Sequence, residues 1–245
     1  MNRIELEGIG KRYGRNWALR GVNASFAQGE TIMVAGPNGS GKTTMIKCLL
    51  GLVRATEGAI RVNGQEVGAD PSYRSAIGYM PQLAEFPKEL TVDQLLRMMN
   101  DIRDARSGST DDRLINALGV DLLLDKRISA LSGGMRQKVS AVLAFRYKPS
   151  VLVLDEPTAG LDPVSARKVM DAVSEACRHG ATAIITSHIL EEVERHADRL
   201  AYLEDGRLRF LLAPETIKEV TDQRSLVMAL PLYLSRIPNS HVESM

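Results

Sequence analysis

The stretch Gly36-Pro37-Asn38-Gly39-Ser40-Gly41-Lys42-Thr43 constrains this chain more than any other. A glycine, four residues and Gly-Lys-Thr have the spacing of a phosphate-binding loop, a pattern that carries meaning only between a strand and a helix. Both flanks are present: Thr31–Ala35 is apolar and partly β-branched and reads as a strand, and Thr44–Leu50 reads as a helix. Backbone N–H groups have to wrap an anion at close range there, so a Cβ at Gly36, Gly39 or Gly41 would crowd it. The helix N-terminus adds about half a positive charge at the same place. Lys42 supplies a full charge to the outer phosphates, and Thr43 offers a hydroxyl to Mg²⁺, an ion that keeps much of its shell as water and phosphate oxygen. A plain glycine-rich turn with a solvated lysine has no need of both flanks. The loop points to a nucleoside triphosphate and leaves open what its hydrolysis drives.

A chain of 245 residues accommodates one large α/β domain, or a domain with a subdomain, and a substantial core. A hydrophobic share of 44% with 25% charged residues is that of a soluble globular protein. The net charge of +1 gives no support to a nucleic-acid or anionic-membrane surface held by bulk charge. Cys48 and Cys177 lie far apart without metal-ligand spacing, and the economical reading is a reducing, cytosolic compartment. The N-terminal residues alternate like a strand and carry no signal-peptide core. Apolar runs such as Val151–Leu154 are far too short to span a membrane, so a membrane role would need another polypeptide for the span.

Along the chain, Ile4–Ile9 and Val22–Phe26 read as strands, with Lys11–Gly14 turning between them. Gly58–Val62 is a further strand closed by an Asn63-Gly64 hairpin turn, and Ile77–Met80 is another. From about Leu83 to Asp125 the strand signal gives way to helical periodicity, seen in Val92, Leu95, Leu96 and Met99. Arg106–Thr110 breaks this region into two helices, and a third helix runs from Met135 to Arg146. Residues 83–148 thus read as a helical subdomain inserted into an α/β core. The unbroken apolar run Val151–Leu154 fits a central parallel strand covered on both faces. Asp162-Pro163 caps a helix that reaches about Cys177. Thr182–Thr186 is the next buried strand, followed by a helix. Leu200–Leu203 and Leu208–Leu211 form a hairpin about Asp205-Gly206, and Pro214–Val220 is a last short helix. The domain division is 1–220 followed by a weakly patterned tail, 221–245.

A phosphate loop needs a partner carboxylate for the hydrated metal. Asp155, delivered by an apolar strand at its C-terminal end, is placed for that work, and Glu156 is placed to orient and deprotonate an attacking water. Two adjacent acids beside a triphosphate make sense only with a cation bound.

Taken with the phosphate loop, these residues resemble the ATP-binding-cassette ATPases, the motor subunits of ABC transporters, over roughly the first 210 residues. Leu131-Ser132-Gly133-Gly134-Met135 resembles the family's signature motif, Gln82 its glutamine loop, Ala159-Gly160-Leu161-Asp162 its D-loop, His188 its switch histidine and Tyr13 the aromatic that stacks on adenine. Each short motif is weak alone; their occurrence in order is what carries the resemblance. It implies a P-loop α/β fold with a mostly parallel central sheet, an N-terminal antiparallel β-subdomain and the inserted helices. It implies ATP and Mg²⁺ as cofactors. Nucleotide contacts are implied for Tyr13, Gly36, Pro37, Asn38, Gly39, Ser40, Gly41, Lys42, Thr43, Thr44, Ser132, Gly133, Gly134 and Asp162. Metal contacts fall to Thr43, Gln82 and Asp155, and catalysis to Glu156, His188, Lys42 and Gln82. Met135 stands where many relatives have Gln, and the expected consequence is altered helix packing with ATP contact retained.

The resemblance further implies two subunits, in the simplest case copies of this chain, closing head to tail on ATP. They would drive a separate transmembrane permease from the cytoplasmic face of the inner membrane, with a periplasmic accessory protein as a further partner and no nucleic acid. The opening and short tail resemble ABC-2-type exporter ATPases. Gly78–Gln82, Phe86-Pro87, Leu90–Val92 and Met98–Arg103 resemble the ATPase of the Nos system, which serves copper-site assembly in nitrous-oxide reductase. The alternative is a soluble ATP switch acting on a partner such as the ribosome; the single cassette and the lack of a coiled coil or basic patch weigh against it.

Overall fold

A computed structural model describes residues 2–68, 70–103 and 110–237. Two sheets organise it. Strands β1 (Asn2–Tyr13) and β2 (Asn16–Ala27) are long and bulged, and the turn between them falls at Gly14-Arg15. The strand pattern thus runs through Lys11–Tyr13, which the sequence reads as a turn: Lys11, Arg12 and Tyr13 pair with Leu19, Trp17 and Asn16. Strand β3 (Thr31–Ala35) leads through the glycine loop into helix α1 (Lys42–Leu49). Strands β4 (Glu57–Val62) and β5 (Gln65–Glu66) form the expected hairpin about Asn63-Gly64, both with positive φ. Next come β6 (Ile77–Met80), α2 (Val92–Ile102), α3 (Arg113–Ala117) and α4 (Gly133–Phe145). Of the expected break between the first two helices at Arg106–Thr110, residues 106–109 lie outside the described residues.

The second half alternates: β7 (Val151–Asp155), α5 (Pro163–Arg178), β8 (Thr182–Thr186), α6 (Leu190–His196), β9 (Arg199–Glu204), β10 (Arg207–Leu212), α7 (Pro214–Thr221) and α8 (Leu226–Arg236). The six-stranded sheet has the order β10-β9-β3-β8-β7-β6, parallel except for β10; the antiparallel sheet has the order β2-β1-β4-β5. The fold is α/β with an antiparallel β-unit and helices inserted between β6 and β7.

The inner strands are buried on both faces, so they read as unbroken apolar runs. Their alternation splits the core. Ile32, Val34, Val151 and Val153 face α1 and the antiparallel sheet, while Met33, Leu152, Leu154 and Ile185 face α2, α4, α5 and α8. Helix α2 opens on a capping box in which Thr91 Oγ1 accepts from Gln94 N at 3.2 Å and Gln94 Oε1 accepts from Thr91 N at 2.9 Å. Its far end is fixed by Arg103, which donates to Ser75 O and Ile77 O at 2.9 Å each, at the start of β6.

Helix α8 occupies the segment that reads as a weakly patterned tail. Leu226, Ala229 and Leu230 are buried in the helix-side core, Tyr233 meets Phe210 edge-on at 5.1 Å, and Leu226 N donates to Glu194 Oε2 at 2.9 Å. The helix runs through Pro231, and the packing of its apolar face outweighs the hydrogen bond that proline cannot make.

Candidate active site

The phosphate loop, Gln82, Asp155, Glu156 and His188 sit at or just past the C-terminal ends of β3, β6, β7 and β8, where parallel sheets gather ligands. The phosphate loop leaves β3 at Gly36 (φ 145°) and enters α1 at Gly41 (φ 108°). A Cβ at Gly36 would lie 2.0 Å from Leu203 O, and one at Gly41 would lie 2.6 Å from Ala18 O. Both glycines are therefore required by the protein's own backbone, on β9 and β2, rather than by an anion as the sequence suggests. A Cβ at Gly39 meets nothing within 4 Å, so it alone of the three would project into the space open to a ligand. The β9–β10 turn also holds the loop: Gly206 N donates to Ser40 O at 3.1 Å and Gly206 O accepts from Arg20 N at 2.7 Å.

Lys42 is 8% exposed, and its ammonium donates to Gly36 O at 2.7 Å and to Pro37 O at 3.0 Å. Burial pushes its pKa down, while Glu156 and Asp155 pull it back up. Ser40 Oγ is buried and has no hydrogen-bond partner among the described residues. An orphaned hydroxyl, a buried cation resting on neutral carbonyls and an open Gly39 fit a polyanion well. Pro37, Asn38 and Thr43 are exposed and Thr44 half-buried along this loop and first helical turn.

Asp155 closes β7 and is 7% exposed; its Oδ1 accepts from Thr186 Oγ1 at 2.5 Å. Glu156 adopts φ 52°, and its carboxylate is held from two sides. Gln82 Nε2 donates to Oε2 at 3.0 Å, and His188 Nε2 lies 2.8 Å from Oε1. Three residues from the ends of three strands thus meet on one carboxylate. Among the described residues no three His, Cys, Asp or Glu side chains form a metal-binding group. A cation held at this site would therefore take most of its ligands from water and phosphate, and a fully protein-held metal does not fit the described residues.

Ser132 is the N-cap of α4, its Oγ accepting from Met135 N at 3.2 Å, and Gly133 beside it is exposed. No hydrogen bond among the described residues joins Ser132, Gly133 or Gly134 to the phosphate loop. Gly134 packs against the D-loop, where a Cβ would stand 2.8 Å from Gly160 O. Met135 is half-buried against the core, so it contributes packing and its backbone N–H serves the cap. Asp162 is engaged within the chain: Oδ1 accepts from Ser165 N at 2.8 Å, Oδ2 from Ser165 Oγ at 2.7 Å, and Lys138 Nζ pairs with Oδ2 at 2.9 Å. Ser165 first, then Lys138, holds its carboxyl well below the usual range. Tyr13 is 49% exposed at the end of β1, with Lys11 Nζ 5.0 Å from its ring centroid.

Two residues near the site gave no sequence signal. Thr186 reads only as a strand residue, and Gln137 only as part of a helix. Gln137 is buried on α4, and its amide reaches Pro81 O and Gln82 O at 3.4 Å each. It ties the glutamine loop to the helix that Ser132 caps.

Fold and site together define a P-loop nucleoside triphosphatase. A protein-family profile described as "ABC transporter" matches residues 19–159. The chain is 32% identical over 209 residues to the linearmycin resistance ATP-binding protein LnrL of Bacillus subtilis (strain 168), spanning 84% of this chain and 67% of that protein. It is 34% identical over 208 residues to the Nod factor export ATP-binding protein I of Rhizobium sp. (strain N33), spanning 83% and 68%. Among solved structures, one titled "Structure of ATP binding subunit of ABC transporter" superposes with a TM-score of 0.89 at 28% identity, covering 94% of this chain and 99% of that one. A nucleotide-free ATP-binding cassette from an ABC transporter superposes with a TM-score of 0.75 at 26% identity, covering 94% and 99%. The chain belongs to the ABC transporter family, as an ATP-binding ATPase subunit.

Proposed function

We propose that this chain is the ATP-hydrolysing motor of an exporter, closing head to tail with a second cassette, in the simplest case another copy of itself. The observation that carries the reading is the meeting of Gln82 and His188 on Glu156, beside the phosphate loop. Bound magnesium ATP would supply the phosphoanhydride bond to be broken and the charge that draws two cassettes together. The chain supplies the rest. Lys42 would exchange the carbonyls of Gly36 and Pro37 for phosphate oxygens. Thr43, Asp155 and Gln82 would hold the metal. Glu156 would take the proton of the attacking water, and His188 would orient that water and the terminal phosphate. Tyr13 would stack on the base, with the remaining loop residues Gly36–Thr44 enclosing the phosphates.

Ser132 and Gly133, exposed at a helix N-terminus, and the half-buried Gly134 beside them would complete the site of the other subunit, with Asp162 at the seam. Closure is then a population shift, because ATP binds strongly only where both halves are present.

No helix among the described residues is long and apolar enough to cross a membrane. The spanning part would come from a permease docked on the helices of residues 83–148, with residues 1–220 as the ATPase unit and 221–245 as its C-terminal extension. The chain would then sit peripherally at the cytoplasmic face of the cell membrane. Export is favoured by the Nod factor export relative. The narrower Nos reading, with copper-site assembly and a periplasmic accessory protein, rests on the resemblance of residues 78–103 alone. The test is co-purification of the tagged chain from detergent-solubilised membranes, with ATPase activity measured on the product. A multi-span permease and phosphate release are expected. Recovery with ribosomes and without a membrane protein would refute the exporter reading in favour of a soluble switch.

A further inference from the structure

Thr186 is the last residue of β8, pairs with Asp155 across the parallel sheet and is 1% exposed. A hydroxyl has one proton to give and two lone pairs to receive with. Here the proton goes to Asp155 Oδ1 at 2.5 Å, and a lone pair receives the backbone N–H of Glu156 at 2.9 Å. The same N–H also reaches the backbone carbonyl of Thr186 at 3.2 Å. One oxygen atom therefore touches both consecutive acids, the side chain of the first and the main chain of the second.

The second contact has a conformational consequence. In a continued strand, Asp155 and Glu156 would point to opposite faces of the sheet. Glu156 instead takes φ 52°, a left-handed conformation that is strained for a non-glycine residue. That turn aims its carboxylate at Gln82 and His188. The hydrogen bond from its N–H to Thr186 supports the strained residue at the point where the strand ends. The first contact removes rotational freedom from Asp155 and occupies one of its two oxygens, which leaves Oδ2 free of that bond.

We propose that Thr186 is a positioning residue that fixes the metal-holding acid and the water-activating acid together through its hydroxyl. Its role rests on the reading of Asp155 and Glu156 given above. The hydroxyl matters and the bulk of the side chain does not, so Thr186→Val, which keeps shape and β-branching, should fail where Thr186→Ser succeeds.

The experiment compares both variants with the wild-type full chain. ATP affinity is measured by titration calorimetry in EDTA and again with Mg²⁺, kcat and KM are measured separately, and thermal melting reports the fold. Metal-free ATP affinity should stay within about twofold in Thr186→Val, because the phosphate loop is untouched. The gain in affinity on adding Mg²⁺ should shrink about tenfold and kcat should fall about 100-fold, in the range seen when groups supporting a metal ligand or a general base are removed. Thr186→Ser should keep both within about threefold. Undiminished kcat and Mg²⁺ dependence in Thr186→Val would overturn the proposal. So would a Thr186→Ser variant as impaired as Thr186→Val, since bulk would then be what matters. If Thr186→Val melts below the assay temperature, Thr186→Ala against Thr186→Ser makes the same comparison at a site relieved of the methyl groups. A wild-type chain that neither binds nor hydrolyses ATP would overturn the proposed function itself, and the role of Thr186 with it.

Discussion

The phosphate loop is shaped by the protein around it, and this makes its glycines distinguishable. In Gly36→Ala the new Cβ would lie 2.0 Å from Leu203 O and 2.9 Å from Ser40 Oγ. Leu203 belongs to a strand paired to β3, so its carbonyl cannot retreat without disturbing the sheet. Overpacking of a fixed backbone costs about 1–3 kcal/mol. Forcing an L residue to remain near φ 145° adds about 1–3 kcal/mol more. A loss of about 2–6 kcal/mol is a large part of the stability of an ordinary domain. Gly39→Ala meets no atom within 4 Å and carries only the strain of φ 79°, about 1–2 kcal/mol. Its Cβ would instead stand in the space left for phosphate. Urea unfolding without nucleotide and binding of a fluorescent ATP analogue separate the two effects. Gly36→Ala should lose stability foremost. Gly39→Ala should lose no more than its strain of about 1–2 kcal/mol and bind nucleotide at least tenfold more weakly. Equal destabilisation by the two substitutions, or a Gly36→Ala chain within 1 kcal/mol of wild type, would refute the reasoning.

Lys42→Ala removes a buried cation whose hydrogen bonds go to the carbonyls of Gly36 and Pro37; phosphate release should fall by at least about 100-fold while the melting temperature holds, and unchanged turnover would place the chemistry elsewhere. Asp162 makes a pH-dependent contribution to stability. Ser165 and Lys138 favour its ionised form, so its carboxyl titrates lower folded than unfolded. That contribution is complete above the ordinary carboxylate range near pH 4 and is lost as pH falls toward the folded value. The urea midpoints of wild type and Asp162→Ala should therefore differ at pH 7 and converge in acid; a constant gap would show that the charge is not involved. Substitutions at exposed Leu83 and Leu122, on the proposed permease-facing helical segment, should leave ATP affinity within about twofold and abolish co-purification of a membrane partner. Reduced ATP affinity would count against docking there.

Much of this architecture was legible because local signals and burial agree. The strands at 31–35, 77–80 and 182–186 have the bounds that their apolar runs mark, and Asp162-Pro163 starts its helix as N-cap and first-turn proline do. The sequence places Gln82, Glu156 and His188 at strand ends, but only the sheet order brings β6, β7 and β8 side by side so that they meet. What was not legible has physical causes. Of the turn expected at Lys11–Gly14, Gly14 does turn, but Lys11–Tyr13 fell inside a strand because bulges in β1 interrupt the alternation that would have marked it. Helix α8 was hidden by Pro231, although Leu226, Ala229, Leu230 and Tyr233 already carry helical spacing. Thr186 looks like any β-branched strand residue, and its hydroxyl acquires meaning only from the register that sets it opposite Asp155. The glycines of the loop were picked out for the approach of an anion, yet the atoms that forbid a Cβ at Gly36 and Gly41 come from strands 23 to 167 residues away in sequence.

The central claim is that two cassettes share ATP, with the phosphate loop of one facing the Ser132 end of α4 in the other. Glu156→Gln keeps an acceptor for Gln82 or His188 but cannot take a proton from water, so bound ATP should persist. The most direct measurement is light scattering coupled to size exclusion of Glu156→Gln with Mg²⁺ and ATP. The expected result is a species of twice the 26.8 kDa of one chain that reverts when Ser132 is also changed to Glu. A nucleotide-loaded species that stays at the mass of a single chain would contradict the account.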